Sequence, residues 1–150
     1  MTFFVDSGIY KVDQKGRVNI PSRYTNQLIE KPGDTAEGLI FYATKYSFSG
    51  GKFKWINLLL PDIFKNLATK MKEECGPILN PNKNIKAFNR LMASAKECRC
   101  DRQGRIIIPR KHLDYAHITD EVMIVGSDDI IQLWNPELFE EHIAEPDILE

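Results

Sequence analysis

Asp13-Gln-Lys-Gly-Arg-Val-Asn-Ile-Pro21 and Asp101-Arg-Gln-Gly-Arg-Ile-Ile-Ile-Pro109 are two versions of one motif, set 88 residues apart. In each, an Asp (Asp13, Asp101) precedes a turn through Gly (Gly16, Gly104), and an Arg (Arg17, Arg105) follows four residues after the Asp. A turn tip rich in Arg and Lys can enter a DNA major groove, where a guanidinium can bond guanine O6 and N7 together. Arg17 and Arg105 are the candidates for that role. Lys11, Lys15, Arg23, Arg99, Arg102 and Arg110 surround them and are better suited to phosphates. Gly16 and Gly104 let the backbone turn tightly and approach a duplex. The ionised aspartates are acceptors that hold the turn through backbone N–H groups or restrain the Arg. A purely structural alternative has Asp13 paired with Arg105, and Asp101 with Arg17, stapling the fold across a pseudo-dyad.

Around each motif the pattern is turn, β-branched strand, then a Pro that can open a helix. Gly8 to Asp13 alternates as a short strand, and Arg17 to Ile20 returns as its hairpin partner. Val18 and Ile20 share one face of that strand, with Arg17 and Asn19 on the other. Pro21 starts a short helix carrying Tyr24 and Leu28 on one side. Strands are expected at Leu39 to Ala43 and Phe53 to Leu60, followed by a helix from Pro61 with Ile63, Phe64, Leu67 and Met71 at helical spacing. Gly76 and Pro77 stop it. A second helix, Asn84 to Lys96, aligns Ile85, Phe88, Leu91, Met92 and Ala95, after a Pro/Asn-rich turn at Pro77 to Asn82.

The order then recurs: strand Glu97 to Asp101, turn Arg102 to Gly104, strand Arg105 to Ile108, helix Pro109 to Tyr115, and strands Val122 to Val125 and Ile130 to Trp134. Asn135 and Pro136 open a final helix. From Pro21 to Pro61 is 40 residues against 27 from Pro109 to Pro136, so the first repeat holds thirteen extra. Thr44 to Lys54, with Ser-Gly-Gly at its tip, is where a longer hairpin places them. Each half alone has too little to bury. Two halves interlocked around a pseudo-two-fold axis make one closed β-barrel in an α+β protein, with peripheral connector and C-terminal helices. The resulting division is 7–63 for the first repeat, 64–96 for the helical connector, 97–138 for the second repeat and 139–150 for an acidic tail.

A chain of 150 residues, 43% apolar and 27% charged, has room for one ordinary domain. No apolar run approaches the roughly 20 residues that cross a bilayer, and the first residues lack a signal-peptide pattern, so a cytoplasmic protein without a membrane partner is expected. The net charge of −1 is unevenly spread. Residues 114–150 hold eleven acidic and no Lys or Arg residues, whereas 1–113 carry 20 basic against 10 acidic. The segments 11–23 and 97–111 are each +3, which permits a local anion-binding face.

Asp13-x-x-Gly-Arg17-x-x-Ile-Pro21 and Asp101-x-x-Gly-Arg105-x-x-Ile-Pro109 resemble the paired motif of the MraZ family, built on the SpoVT-AbrB swapped-hairpin barrel. Ala87-Phe-Asn-Arg-Leu91, Ala95-Lys-Glu-Cys98, Glu121-Val-Met-Ile-Val-Gly126 and Leu133-Trp134 extend the likeness over nearly the whole chain. The resemblance implies a sequence-specific transcriptional regulator binding repeated promoter boxes of a bacterial division and cell-wall gene cluster. It also implies a ring-shaped homo-oligomer associated with the nucleoid. Thr44 to Trp55 departs from the family by being longer and more basic.

Other chemistry has weaker support. Cys98-x-Cys100 with Cys75 or His112 lacks the paired spacing of zinc sites, and the three cysteines are expected as reduced thiols, the strand pair as buried small hydrophobes. His112, His117 and His142 have no nucleophile at a recognisable spacing and are expected at or near the surface, so no enzyme, cofactor or small-molecule substrate is expected. The alternative of another class is an oligomeric interaction module without DNA binding, using the acidic surface of Glu137, Glu140, Glu141, Glu145, Asp147 and Glu150.

Overall fold

The computed structural model describes residues 2–77 and 84–146. Most of the turn from Pro77 to Asn82 and the acidic Asp147 and Glu150 lie outside them. Among the described residues, eight strands and five helices follow in chain order. The first repeat contributes β1 (Ser7–Lys11), β2 (Arg17–Asn19), α1 (Ser22–Thr25), β3 (Ile40–Phe48) and β4 (Phe53–Leu59). Next come α2 (Pro61–Glu74) and α3 (Ile85–Ser94), then β5 (Lys96–Arg99), β6 (Arg105–Ile107), α4 (Arg110–Tyr115), β7 (Glu121–Ser127), β8 (Ile130–Trp134) and α5 (Pro136–Ala144).

Local chemistry explains the boundaries. Pro61 and Pro136 occupy first-turn positions, where a missing N–H costs no helical bond. The Asn135 side chain accepts from the Leu138 N–H at 2.9 Å and caps α5. Helix α3 ends at Ser94, two residues before Lys96, because Ala95 is already extended and feeds β5. Met92, placed on its apolar stripe by spacing, is instead 46% exposed. His112 departs in the other direction: it is buried, with Nε2 2.8 Å from the Ser94 carbonyl and 3.1 Å from that of Ala43.

Strand pairing exchanges the repeats. Within the main sheet the order is β1-β7-β8-β4-β3-β5, and every ladder is antiparallel. The first strand of each repeat therefore joins the other repeat's hairpin: β1 lies on β7, and β5 lies on β3. The expected β1–β2 hairpin forms only at its turn, through a single Val12–Val18 bridge. Its arms diverge because β1 bonds to β7 while β2 bonds to β6.

Nor does the six-stranded sheet close as a barrel. Its edges are β1 and β5, and β2 and β6 form a separate two-stranded ribbon reached through the two Gly turns. Each chain segment leaving an edge strand is used up in making this ribbon. Its inner residues, Val18 and Ile106 with the adjoining Ile20 and Ile108, join Phe41, Ile56, Leu58, Val122, Ile124, Ile131 and Leu133 in one core. Their opposite neighbours, Arg17, Asn19, Arg105 and Ile107, consequently face outward.

Thr44 to Lys54 does not hold all thirteen extra residues: with Ile40 of β3 equivalent to Glu121 of β7, six of them lengthen the first hairpin and seven precede it, between Pro21 and Ile40. The longer hairpin builds a second, smaller core. Trp55 stacks on Trp134 with centroids 4.7 Å apart and planes 7° from parallel, and Phe53, Met123, Leu138 and Phe139 complete the cluster. Lys52 at the hairpin tip reaches Glu145 at 2.6 Å, so the hairpin grips α5.

The two turn glycines both require φ near +82°, but their surroundings differ. A Cβ on Gly16 would stand 2.7 Å from the Ile108 carbonyl oxygen, whereas one on Gly104 would meet the Ile20 oxygen at 3.6 Å. Gly16→Ala should therefore destabilise by about 1–3 kcal/mol, and Gly104→Ala by less, in urea unfolding. Equal losses would show that the tight approach at Gly16 relaxes freely.

Candidate nucleic-acid interface

Each Asp organises its own turn through both carboxylate oxygens. Asp13 Oδ1 accepts from the Lys15 and Arg17 N–H groups, both at 2.9 Å, and Oδ2 accepts from Arg17 Nε at 2.5 Å. Asp101 repeats the arrangement with Gln103 N–H and Arg105 N–H at 2.9 Å and Arg105 Nε at 2.8 Å. The aspartates thus pair with the Arg of the same turn, four residues on, and the cross-dyad pairing of Asp13 with Arg105 and Asp101 with Arg17 is not formed. The sequence left these options open; geometry favours the local one because the turn folds residue i+4 back over residue i.

The anchored atom matters chemically. With Nε held by carboxylate, the guanidinium plane is fixed while its terminal Nη groups stay available as a two-pronged donor. Both Arg side chains remain partly accessible, at 36% for Arg17 and 40% for Arg105. They sit diagonally on the outer face of the ribbon, Arg17 opposite Ile107 and Arg105 opposite Asn19.

The ribbon holds the turns in register. Ile108 N–H donates to the Gly16 carbonyl and Ile20 N–H to that of Gly104, each at 2.9 Å, so each tip is braced by the other repeat. Beside the ribbon lies an open groove of about 520 Å³ lined by Lys11, Asp13, Arg17, Asn19, Arg105, Asp120 and Glu121.

The surrounding cations divide into free and engaged groups. Lys11, Lys15 and Arg102 are exposed and form no ion pair among the described residues. Arg99 pairs with Glu97 at 3.2 Å on the surface, a contact of little energetic weight. Arg110 donates to the Gln14 carbonyl at 3.2 Å, bracing the first tip from the second repeat. Arg23 lies 4.7 Å from the Tyr24 ring centroid and donates to the Tyr10 hydroxyl at 3.2 Å. This set is not one cluster: Arg17, Arg105 and Lys11 share the groove, whereas Arg23 is held against tyrosines.

The cysteines have a different character. Cys75, Cys98 and Cys100 are all buried, and burial pushes the Cys98 and Cys100 thiols up to about 11. Among the described residues no group of three His, Cys, Asp or Glu side chains is arranged to hold a metal ion. No helix among them is long and apolar enough to cross a membrane.

Residues 91–148 match the family model described as "MraZ protein, putative antitoxin-like". A protein named Transcriptional regulator MraZ from Caldanaerobacter subterraneus subsp. tengcongensis is 31% identical over 140 residues, covering 93% of this chain and 85% of that protein. The chain belongs to the MraZ family. Relatives with the same name include one from Caldicellulosiruptor saccharolyticus, 33% identical across 92% of this chain and 86% of its own length. Another, from Leuconostoc citreum, is 29% identical across 95% and 87%. Membership agrees with the paired motif from which the resemblance was drawn.

Two outward residues of the ribbon have no role in the motif-based reading. Asn19 sits opposite Arg105, and Ile107, opposite Arg17, is 57% exposed. Strand alternation put Asn19 on the Arg17 face; Ile107 was hidden inside an apolar run whose period is ambiguous.

Hydrogen bonds from the Arg17 backbone and side chain hold the Asp13 carboxyl below its ordinary value of 3.8, and bonds from Arg105 do the same for Asp101, the backbone bond being the larger cause in both. For a depressed carboxyl the stabilisation is complete above the unfolded value and lost as pH falls through the folded one. Protection of the Arg17 and Arg105 amides from hydrogen exchange should therefore stay level from neutral pH to about 5, after correction for intrinsic exchange, and fall below about 4. Asp13→Asn and Asp101→Asn should abolish this acid step at their own tips. An unchanged step in both variants would assign it to other groups.

Proposed function

We propose that this chain is a transcriptional regulator that reads double-stranded DNA through the outer face of the β2–β6 ribbon and its two turns. The observation that carries the reading is the pair of Arg residues held through Nε on one exposed face, with their Nη groups free. A two-stranded ribbon fits a major groove, and an end-on guanidinium matches guanine O6 and N7. Asn19 and Ile107 extend the reading surface, amide to adenine and methyl to thymine methyl. Lys11, Lys15, Arg102 and Arg99 contact phosphates, while Arg23 and Arg110 support the edges of the surface.

The name shared by the relatives supports the regulatory role. The targets in this reading are repeated boxes in the promoter of a division and cell-wall cluster, bound at the nucleoid by a ring-shaped homo-oligomer. The exchange of first strands supports the swapped-hairpin description, with the ribbon taking the place of barrel closure. Functionally the chain divides into repeats at 7–63 and 97–138, a helical connector at 64–96 and an acidic segment at 139–150. The interaction-module alternative is less well supported, because Glu145 and Glu141 of its proposed acidic surface are engaged by Lys52.

Arg17→Ala and Arg105→Ala should each weaken binding to the chain's own upstream DNA by about 1–3 kcal/mol in gel-shift titration, with loss of the footprint in the double variant. Lys at these positions should not restore it, since Lys has no Nε to anchor while also offering a two-pronged donor. Parent-like binding by the double Ala variant removes the reader role.

A protomer offers few base contacts, so several protomers engaging one duplex should raise affinity by roughly 10²-fold or more between one-box and three-box DNA. The affinity should also fall steeply with salt as displaced counterions dictate. Equal affinity for one, two and three boxes would rule out the multivalent account.

A further inference from the structure

The longer β3–β4 hairpin of the first repeat builds more than a second core. On one face of the β3–β4 hairpin, Lys45 and Ser47 alternate along β3, and Lys54 stands directly across from Ser47. This face meets α3, which brings Arg90, Ala93 and Ser94, and α4, which ends in Tyr115. Together Lys45, Ser47, Arg90, Ala93, Ser94 and Tyr115 line a cleft of about 450 Å³.

Its charge is unbalanced. Lys45 Nζ lies 5.5 Å and Lys54 Nζ 5.2 Å from the centroid of the same Tyr115 ring. Neither lysine, nor Arg90, forms an ion pair among the described residues, and no carboxylate lines the cleft. The ring itself is fixed, since the Tyr115 hydroxyl donates to the Tyr46 carbonyl at 3.1 Å. Both ammonium groups are drawn to the ring's electron-rich face, and an anion in the cleft gives them the counter-charge that no carboxylate lining it supplies. The second repeat has no counterpart: its shorter β7–β8 turn carries Asp128 and Asp129.

We propose that this cleft is a phosphate-group site, with Lys45, Lys54 and Arg90 supplying the charge and the Ser47 hydroxyl a further donor. A planar guanidinium and two mobile ammonium groups suit a tetrahedral oxyanion approached from solvent. The phosphate is either free in solution or part of a nucleic-acid backbone. None of these residues belongs to the turns of the β2–β6 ribbon, so the site stands or falls separately from the DNA-reading role of those turns.

The test uses the full chain in two arms. In the first, the melting temperature is followed against sodium phosphate, with sodium chloride at matched ionic strength and pH as reference. The parent and the Arg17→Ala/Arg105→Ala variant should show a saturable, phosphate-dependent rise, with a midpoint at least about tenfold weaker in Lys45→Gln/Lys54→Gln. In the second arm, duplex binding is titrated at several salt concentrations. About tenfold weaker binding with a shallower salt slope in the Lys variant, whether or not inorganic phosphate acts, identifies a backbone phosphate as an occupant. Loss of the inorganic phosphate effect with duplex binding intact identifies a free phosphate. Arg90→Gln, on a separate element, repeats both arms if the lysine variant melts early in chloride. Parent-like behaviour of the folded variants in both arms overturns the proposal.

Discussion

Two backbone hydrogen bonds, Ile108 N–H to the Gly16 carbonyl and Ile20 N–H to that of Gly104, determine how the two halves of the molecule meet. They bring each Gly turn against the strand of the opposite repeat, and at Gly16, though not at Gly104, the approach leaves no space for a Cβ. Once those bonds form, Val18 and Ile106 face the core and Arg17 and Arg105 face solvent, because adjacent strand residues point oppositely. The orientation of the candidate reading surface is thus a consequence of backbone pairing. The aspartates then refine it, limiting each Arg side chain to one plane.

The repeat, its Gly turns, the proline-opened helices and the outward Arg residues were all legible from residue types and spacing. Strand partners were not. Alternation in Ser7–Lys11 says that a strand exists, but its hydrogen-bond partner depends on chain segments more than a hundred residues away. Proximity suggested a simple hairpin, and the real partner was β7. Closure failed to follow from symmetry for a related reason: the segments after the edge strands form their own ribbon.

Within the site, the choice of Asp–Arg partner was undecidable from composition because the two arginines are chemically equivalent. Only the turn geometry, with the same Asp accepting from backbone and guanidinium, separates them. His112 shows the opposite limit. A polar residue flanked by Lys111 and Leu113 suggests a surface position, yet the ring is buried with carbonyls from α3 and β3 both against Nε2, while Nδ1 has no partner among the described residues. The excess length of the first repeat is a third case: its size was visible, but residues 44–54 hold only part of it, and the role of that hairpin in gripping α5 required the Trp55–Trp134 stack and the reach of Lys52.

The exchange of first strands also constrains how the molecule comes into being. Ser7 must find Val125, so β1 is synthesised more than a hundred residues before the strand that completes its ladder. Productive assembly waits for the C-terminal half, and such long sequence separation slows closure relative to a chain of local hairpins. Until then β1 and β4 lack the strands that β7 and β8 bring to their ladders.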